Sequence, residues 1–107
     1  MSKLNFEWDS KKNTFNIKKH KVSFEEAKTV FLDENAAIAN DPDHSINEER
    51  FIIIGFSSFA RLILVCFCER TNGNTIRIIS ARKLTKKELK DFNRRWVRWE
   101  KNMICRN

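Results

Sequence analysis

The sequence predicts an α+β domain: a small antiparallel sheet with two N-terminal helices and one C-terminal helix, in the order β-α-α-β-β-β-β-α. Three observations carry that expectation. Two capping boxes, Ser23-Phe24-Glu25-Glu26 and Thr85-Lys86-Lys87-Glu88, mark helix starts. Between them, runs rich in Ile, Val and Phe are separated by short turn-forming segments, as antiparallel strands require. After the second box, Leu89, Phe92, Trp96, Trp99 and Met103 advance by three, four, three and four, which is one apolar stripe along a helix.

The first strand is read from the alternation Leu4-Asn5-Phe6-Glu7-Trp8. Asp9 or Ser10 then caps a helix over about Ser10 to His20, which shows Phe15 among lysines and asparagines and so predicts a narrow apolar contact at the surface. The first capping box opens a second helix, about Phe24 to Leu32, with Phe24, Ala27, Val30 and Phe31 as its buried stripe. Ala36 to Asn40 is a weak strand, and Glu49 to Phe56, Arg61 to Glu69 and Asn74 to Ala81 are strong ones. The strand from Arg61 is apolar on both faces, which makes it central.

A chain of 107 residues supports one core and not two. Its 41% hydrophobic and 33% charged residues exclude a disordered polymer. Gly55, Ser57 and Ser58 interrupt the longest apolar run, so no membrane span is expected. Glu7 and Asp9 leave no apolar signal core near the start, and the expected location is the cytoplasm. Cys66, Cys68 and Cys105 cannot all pair within one chain and suit free thiols. Asp41-Pro42-Asp43-His44 gathers potential ligands, but without zinc-like spacing it reads as a turn, and no metal or other cofactor is expected.

Charge is one-sided. Residues 1–81 hold 11 basic and 11 acidic side chains, whereas residues 82–107 hold 10 basic and 3 acidic ones. Such a field draws polyanions: RNA, DNA or an acidic protein surface. Lys87, Lys90, Arg94, Arg98 and Lys101 form a basic ridge on the last helix, while Trp96, Trp99 and Met103 serve either as core or as anchors for a protein partner. Within Ile76-Arg77-Ile78-Ile79-Ser80-Ala81-Arg82, two guanidinium groups interrupt an apolar strand, either as ordinary salt-bridged surface residues or as holders of an anion.

Several separated segments together carry a family resemblance. Phe6-Glu7-Trp8-Asp9, Asn16, Lys19-His20, Val22 to Ala27, Asp43-His44-Ser45 with Glu49-Arg50, and Ile76 to Arg82 with Glu88 resemble the BrnT family of type II toxins. The likeness spans about residues 6 to 92. It implies a RelE-like fold, ribonuclease activity on messenger RNA, and neutralisation by a BrnA-type antitoxin whose ribbon-helix-helix region would supply any contact with operator DNA. Residues 1–92 would form the toxin domain and 93–107 a helical extension of it. Three departures stand out: Lys21 where the family usually has glycine, Phe92 where it usually has tyrosine, and the tail from Asn93.

Metal-independent RNA cleavage needs a base for the 2′-hydroxyl, cations for the pentacoordinate phosphorus, and a proton for the departing 5′-oxygen. His20, with an ordinary pKa near neutrality, is the candidate proton carrier, or else only a helix C-terminal cap. Lys19 either contacts phosphate, acts as a base if desolvated, or is simply solvated. Arg77 and Arg82 are the candidate phosphate ligands, but five positions put them on opposite faces of a straight strand, so a bend near Ser80 or a helix start is required. Arg50 either binds phosphate or pairs with Glu49 or another carboxylate, Lys87, Lys90 and Arg94 are candidate RNA contacts, and Glu69 is a carboxylate that orients an arginine. Trp8 either stacks a base or is core. The competing reading is a non-catalytic module that docks an antitoxin or nucleic acid through its basic C-terminal helix.

Overall fold

The computed structural model describes residues 4–41, 49–70 and 73–93. In chain order these form β1 (Asn5–Glu7), α1 (Ser10–His20), α2 (Phe24–Thr29) running into a 3-10 turn (Val30–Leu32), β2 (Ala37–Asn40), β3 (Arg50–Phe56), β4 (Leu62–Arg70) and β5 (Thr75–Lys83). Residues 86–93 are helical and are called α3. The element order matches the sequence reading. Arg94, Trp96, Trp99 and Met103, the Asp43-His44 turn, and the extension after residue 93 lie outside the described residues.

The sheet runs β1-β5-β4-β3-β2. β2 to β5 form the expected antiparallel meander, but β1 lies parallel to β5, with Phe6 opposite Ile76 and Glu7 opposite Arg77. The sheet is therefore mixed rather than antiparallel throughout. A parallel pair needs a long crossover between its strands, and here nearly the whole domain supplies it.

α1 and α2 cover one face. Asp9 starts α1 by accepting from the backbone N–H of Lys11 at 2.8 Å. Ser23 starts α2 by accepting from Glu26 N–H at 3.0 Å. Phe24, Ala27 and Val30 are fully buried with Ile53, Ile63, Val65, Phe67, Ile76, Ile78 and Ala81, and Phe31 meets Phe6 and Phe67 edge-on. Burying each such large side chain contributes about 1.5–3 kcal/mol.

Two local expectations fail for one physical reason, a polar partner that the sequence does not reveal. Phe15 is 65% exposed, under the Lys19 ammonium, and Asn16 takes the buried place on α1. The buried Glu26 carboxylate pairs with the partly exposed Arg61 and accepts from Ser57 Oγ at 2.7 Å instead of closing the capping box. Thr85 and Glu88 do close theirs: each side chain accepts from the other's backbone N–H, at 2.9 and 3.1 Å.

β5 carries one extra residue. Ser80 lies opposite Cys66 and Ile78 opposite Phe67, which leaves Ile79 as a bulge without a partner on β4.

Candidate functional site on the outer sheet face

The bulge resolves the geometric difficulty posed by the strand arginines. Arg77 lies opposite Cys68 and Arg82 opposite Leu64, and those two β4 residues are four apart, so both arginines project from the same face. This is the face turned away from α1 and α2. Four residues of strand place the two Cα atoms ~13 Å apart, a span longer than one phosphate group.

Across the strands the face is built in rows. One row runs Arg50, Cys68, Arg77, Glu7 over four neighbouring strands, and the next along β4 sets Ile52, Cys66 and Ser80 side by side. Cys68 is buried in the middle of its row, and Cys66 is half-buried; both are free thiols.

Each strand arginine is held by a carboxylate. Arg77 Nη1 donates to Glu7 Oε2 at 2.8 Å, and Arg70 approaches the same oxygen at 3.7 Å. Arg82 donates from Nη1 and Nη2 to the two oxygens of Glu88 at 2.7 and 2.9 Å, a planar fork that fixes the guanidinium. These bonds raise the pKa of both arginines and, with help from the Thr85 backbone, lower that of Glu88 to about 2. The orienting role expected of Glu69 falls to other carboxylates. Glu69 is exposed opposite Ile76, and Glu7 and Glu88 hold the arginines instead. The period-two alternation of the first strand placed Glu7 on its polar face, but nothing local revealed a partner 70 positions away.

His20 ends α1 and is half-buried. Its pKa is lowered first by desolvation, then by the charges of Lys19 and Arg82, all of which favour the neutral imidazole. Lys19 is exposed, with its ammonium 5.9 Å from the centre of the Phe15 ring. Lys87 and Lys90 are exposed on α3. Trp8 sits on the helix-covered side, edge-on to Phe24, where the core reading applies. The outer face thus brings together Arg50, Arg77 and Arg82 and does not include Trp8, while His20 stands at the end of α1, within reach of the Arg82 charge.

Among the described residues no group of three or more His, Cys, Asp or Glu side chains stands close enough to hold a metal ion. No helix among them is long and apolar enough to cross a membrane.

Comparison with known proteins adds two findings. A family model described as the ribonuclease toxin, BrnT, of type II toxin–antitoxin systems matches residues 8–88. The crystal structure of the Brucella abortus ribonuclease toxin BrnT superposes with a TM-score of 0.59 at 21% identity, covering 78% of this chain and 99% of that one. At that identity the likeness speaks to the fold. No curated protein matches the sequence.

Proposed function

The chain belongs to the BrnT family of ribonuclease toxins of type II toxin–antitoxin systems, a family that implies an antitoxin partner, and on that footing we propose that it is a metal-independent endoribonuclease. It cleaves messenger RNA on the outer sheet face and is neutralised by a BrnA-type antitoxin. The observation that supports this reading is the Ile79 bulge, which turns Arg77 and Arg82 to one face.

In the reaction, neutral His20 takes the proton of a ribose 2′-hydroxyl as that oxygen attacks the adjacent phosphorus. The bond to the 5′-oxygen breaks, leaving a 2′,3′-cyclic phosphate, and the 5′-oxygen takes a proton from solvent on this open face. Arg82 stabilises the charge on the pentacoordinate phosphorus. Three of its N–H groups are engaged by Glu88 and the Lys83 carbonyl, which leaves the Nε–H and one Nη2 hydrogen for phosphate oxygens. Arg77, ~13 Å along the strand, grips a different phosphate of the same RNA. Lys86, Lys87 and Lys90 supply the surplus positive charge that the Arg–Glu pairs lack.

Purified protein incubated with RNA in EDTA is expected to cleave it, and Arg82→Ala to lose both cleavage and growth arrest while keeping its circular-dichroism spectrum. A fully active Arg82→Ala protein would remove Arg82 from the site. One observation favours the second reading, a non-catalytic binding module: each strand arginine already has an acidic partner. An intact RNA pool after expression, with tight antitoxin binding retained, would establish that version.

A further inference from the structure

Two polar side chains outside the proposed chemistry converge on the backbone that carries His20. β1 pairs with β5 only through residues 75–77, and beyond them α1 meets the edge of β5. Asn16, 5% exposed, accepts from Ala81 N–H at 3.2 Å and donates to the Ala81 carbonyl at 2.7 Å, so one carboxamide takes the place of a neighbouring strand. The same Nδ2 group donates to the Val22 carbonyl at 2.8 Å.

Between those anchors the chain turns sharply. Lys21 closes α1 in the left-handed region (φ 61°), with its N–H on the Ile17 carbonyl at 2.9 Å. A side chain with a Cβ is strained in that conformation and persists there only where its surroundings over-determine it. The surroundings do so. Arg61 Nη2 donates to the Lys21 carbonyl at 3.0 Å, and Arg61 is itself fixed by the Glu26 carboxylate, which Ser57 also bonds. The carbonyls of the two residues that follow His20 are thus each held by a side chain, Lys21 by Arg61 from across the fold and Val22 by Asn16 of α1.

We infer that Asn16 and Arg61 form a positioning pair that fixes the end of α1, and with it His20, against the β5 segment that carries Arg82. Asn16 stands one helical turn before His20 and bonds the residue immediately before Arg82, so it sets the spacing between the two elements. Arg61 sets the angle at which α1 ends. Neither side chain touches RNA in this scheme. Asparagine suits the task because it both donates and accepts; aspartate would leave the Val22 and Ala81 carbonyls without a donor, and leucine would satisfy nothing. This inference rests on the catalytic assignment of His20, and its test keeps the two apart.

The test is an NMR titration of the His20 imidazole in the full chain, run beside the pH profile of cleavage of a mixed-sequence RNA oligonucleotide. His20 and His44 are the two histidines, so a His44→Asn background assigns the signal. Arg61→Lys keeps a cation against Glu26 but loses the planar fork that also reaches Lys21, and so retains the fold. Asn16→Ala removes the other clamp, and Arg61→Lys carries the test should that variant fail to fold.

In each folded variant the His20 midpoint is expected to rise towards the ordinary histidine value as the ring moves away from Arg82 and into solvent. The acid limb of the kcat profile moves with it, and kcat falls about 10²-fold with little change in KM. A role in stability alone would lower the urea midpoint and leave the titration unmoved, and that result overturns the inference. So does a wild-type His20 that titrates at the ordinary value. A wild-type protein that cuts no RNA removes the proposed reaction, while the titration still decides whether the pair positions His20.

Discussion

Arg82 and Glu88 share two parallel hydrogen bonds while Glu88 also closes the capping box of α3 with Thr85, so one carboxylate ties the end of β5 to the start of the last helix. Its depressed pKa therefore has a stability consequence. A carboxylate whose folded pKa lies below its unfolded one stabilises the fold above the unfolded pKa, ordinarily about 4.5, and loses that contribution as pH falls towards about 2. The urea midpoint of the wild-type protein is expected to decline across that window. In Glu88→Gln the decline is shallower and the midpoint at neutral pH is already lower.

The two strand arginines are predicted to contact separate phosphates. Binding of a non-cleavable single-stranded RNA, followed by fluorescence anisotropy over a series of salt concentrations, measures this directly. Arg77→Ala and Arg82→Ala should each reduce the slope of log K against log[salt] by about 0.7, and the double variant by the sum. An unchanged slope for Arg77→Ala would confine that residue to its pairing with Glu7.

Lys21 occupies a left-handed helix end that glycine adopts without strain. Lys21→Gly should raise stability by about 0.5–1 kcal/mol in urea denaturation, because relief of strain exceeds the extra entropy of the unfolded chain. The Lys21 carbonyl remains available to Arg61, so cleavage is expected to persist.

Gly55 lies where β3 passes over the turn after α2. A Cβ there would stand 2.9 Å from both Ala36 Cβ and Asp33 Oδ2 and 3.2 Å from Val30 Cγ1. Gly55→Ala is expected to destabilise the protein by about 1–3 kcal/mol, read as a lower thermal midpoint. The outer face on the far side of the sheet should keep its RNA affinity at temperatures where the variant is folded.

What the sequence made legible was what it encodes locally. Asp9, Ser23 and Thr85 act on backbone groups two or three residues away, and the Phe24-Ala27-Val30 stripe needs only helical spacing, so helix starts and buried faces could be read directly. The two capping boxes show where that logic ends. They look alike in sequence, yet Glu88 returns to its helix and Glu26 does not, because Arg61 stands 35 positions away and captures it. The face shared by Arg77 and Arg82 was illegible for the same reason. A bulge at Ile79 depends on the register of the facing strand, and five positions of straight strand argue for opposite faces. His20 and Arg82 were both candidates from sequence, but their proximity depends on Asn16 reaching Ala81, and a buried asparagine on a polar helix gives no periodic signal.

The parallel pairing of β1 with β5 joins the first of the described strands with the last. A growing chain carries Asn5 to Glu7 without a docking site until Thr75 to Arg77 have cleared the exit tunnel, so this edge of the sheet closes only after the intervening residues have been made. Glu7, the carboxylate that holds Arg77, is therefore made 70 residues ahead of its guanidinium, and this corner of the outer sheet face forms only once both strands are free to pair.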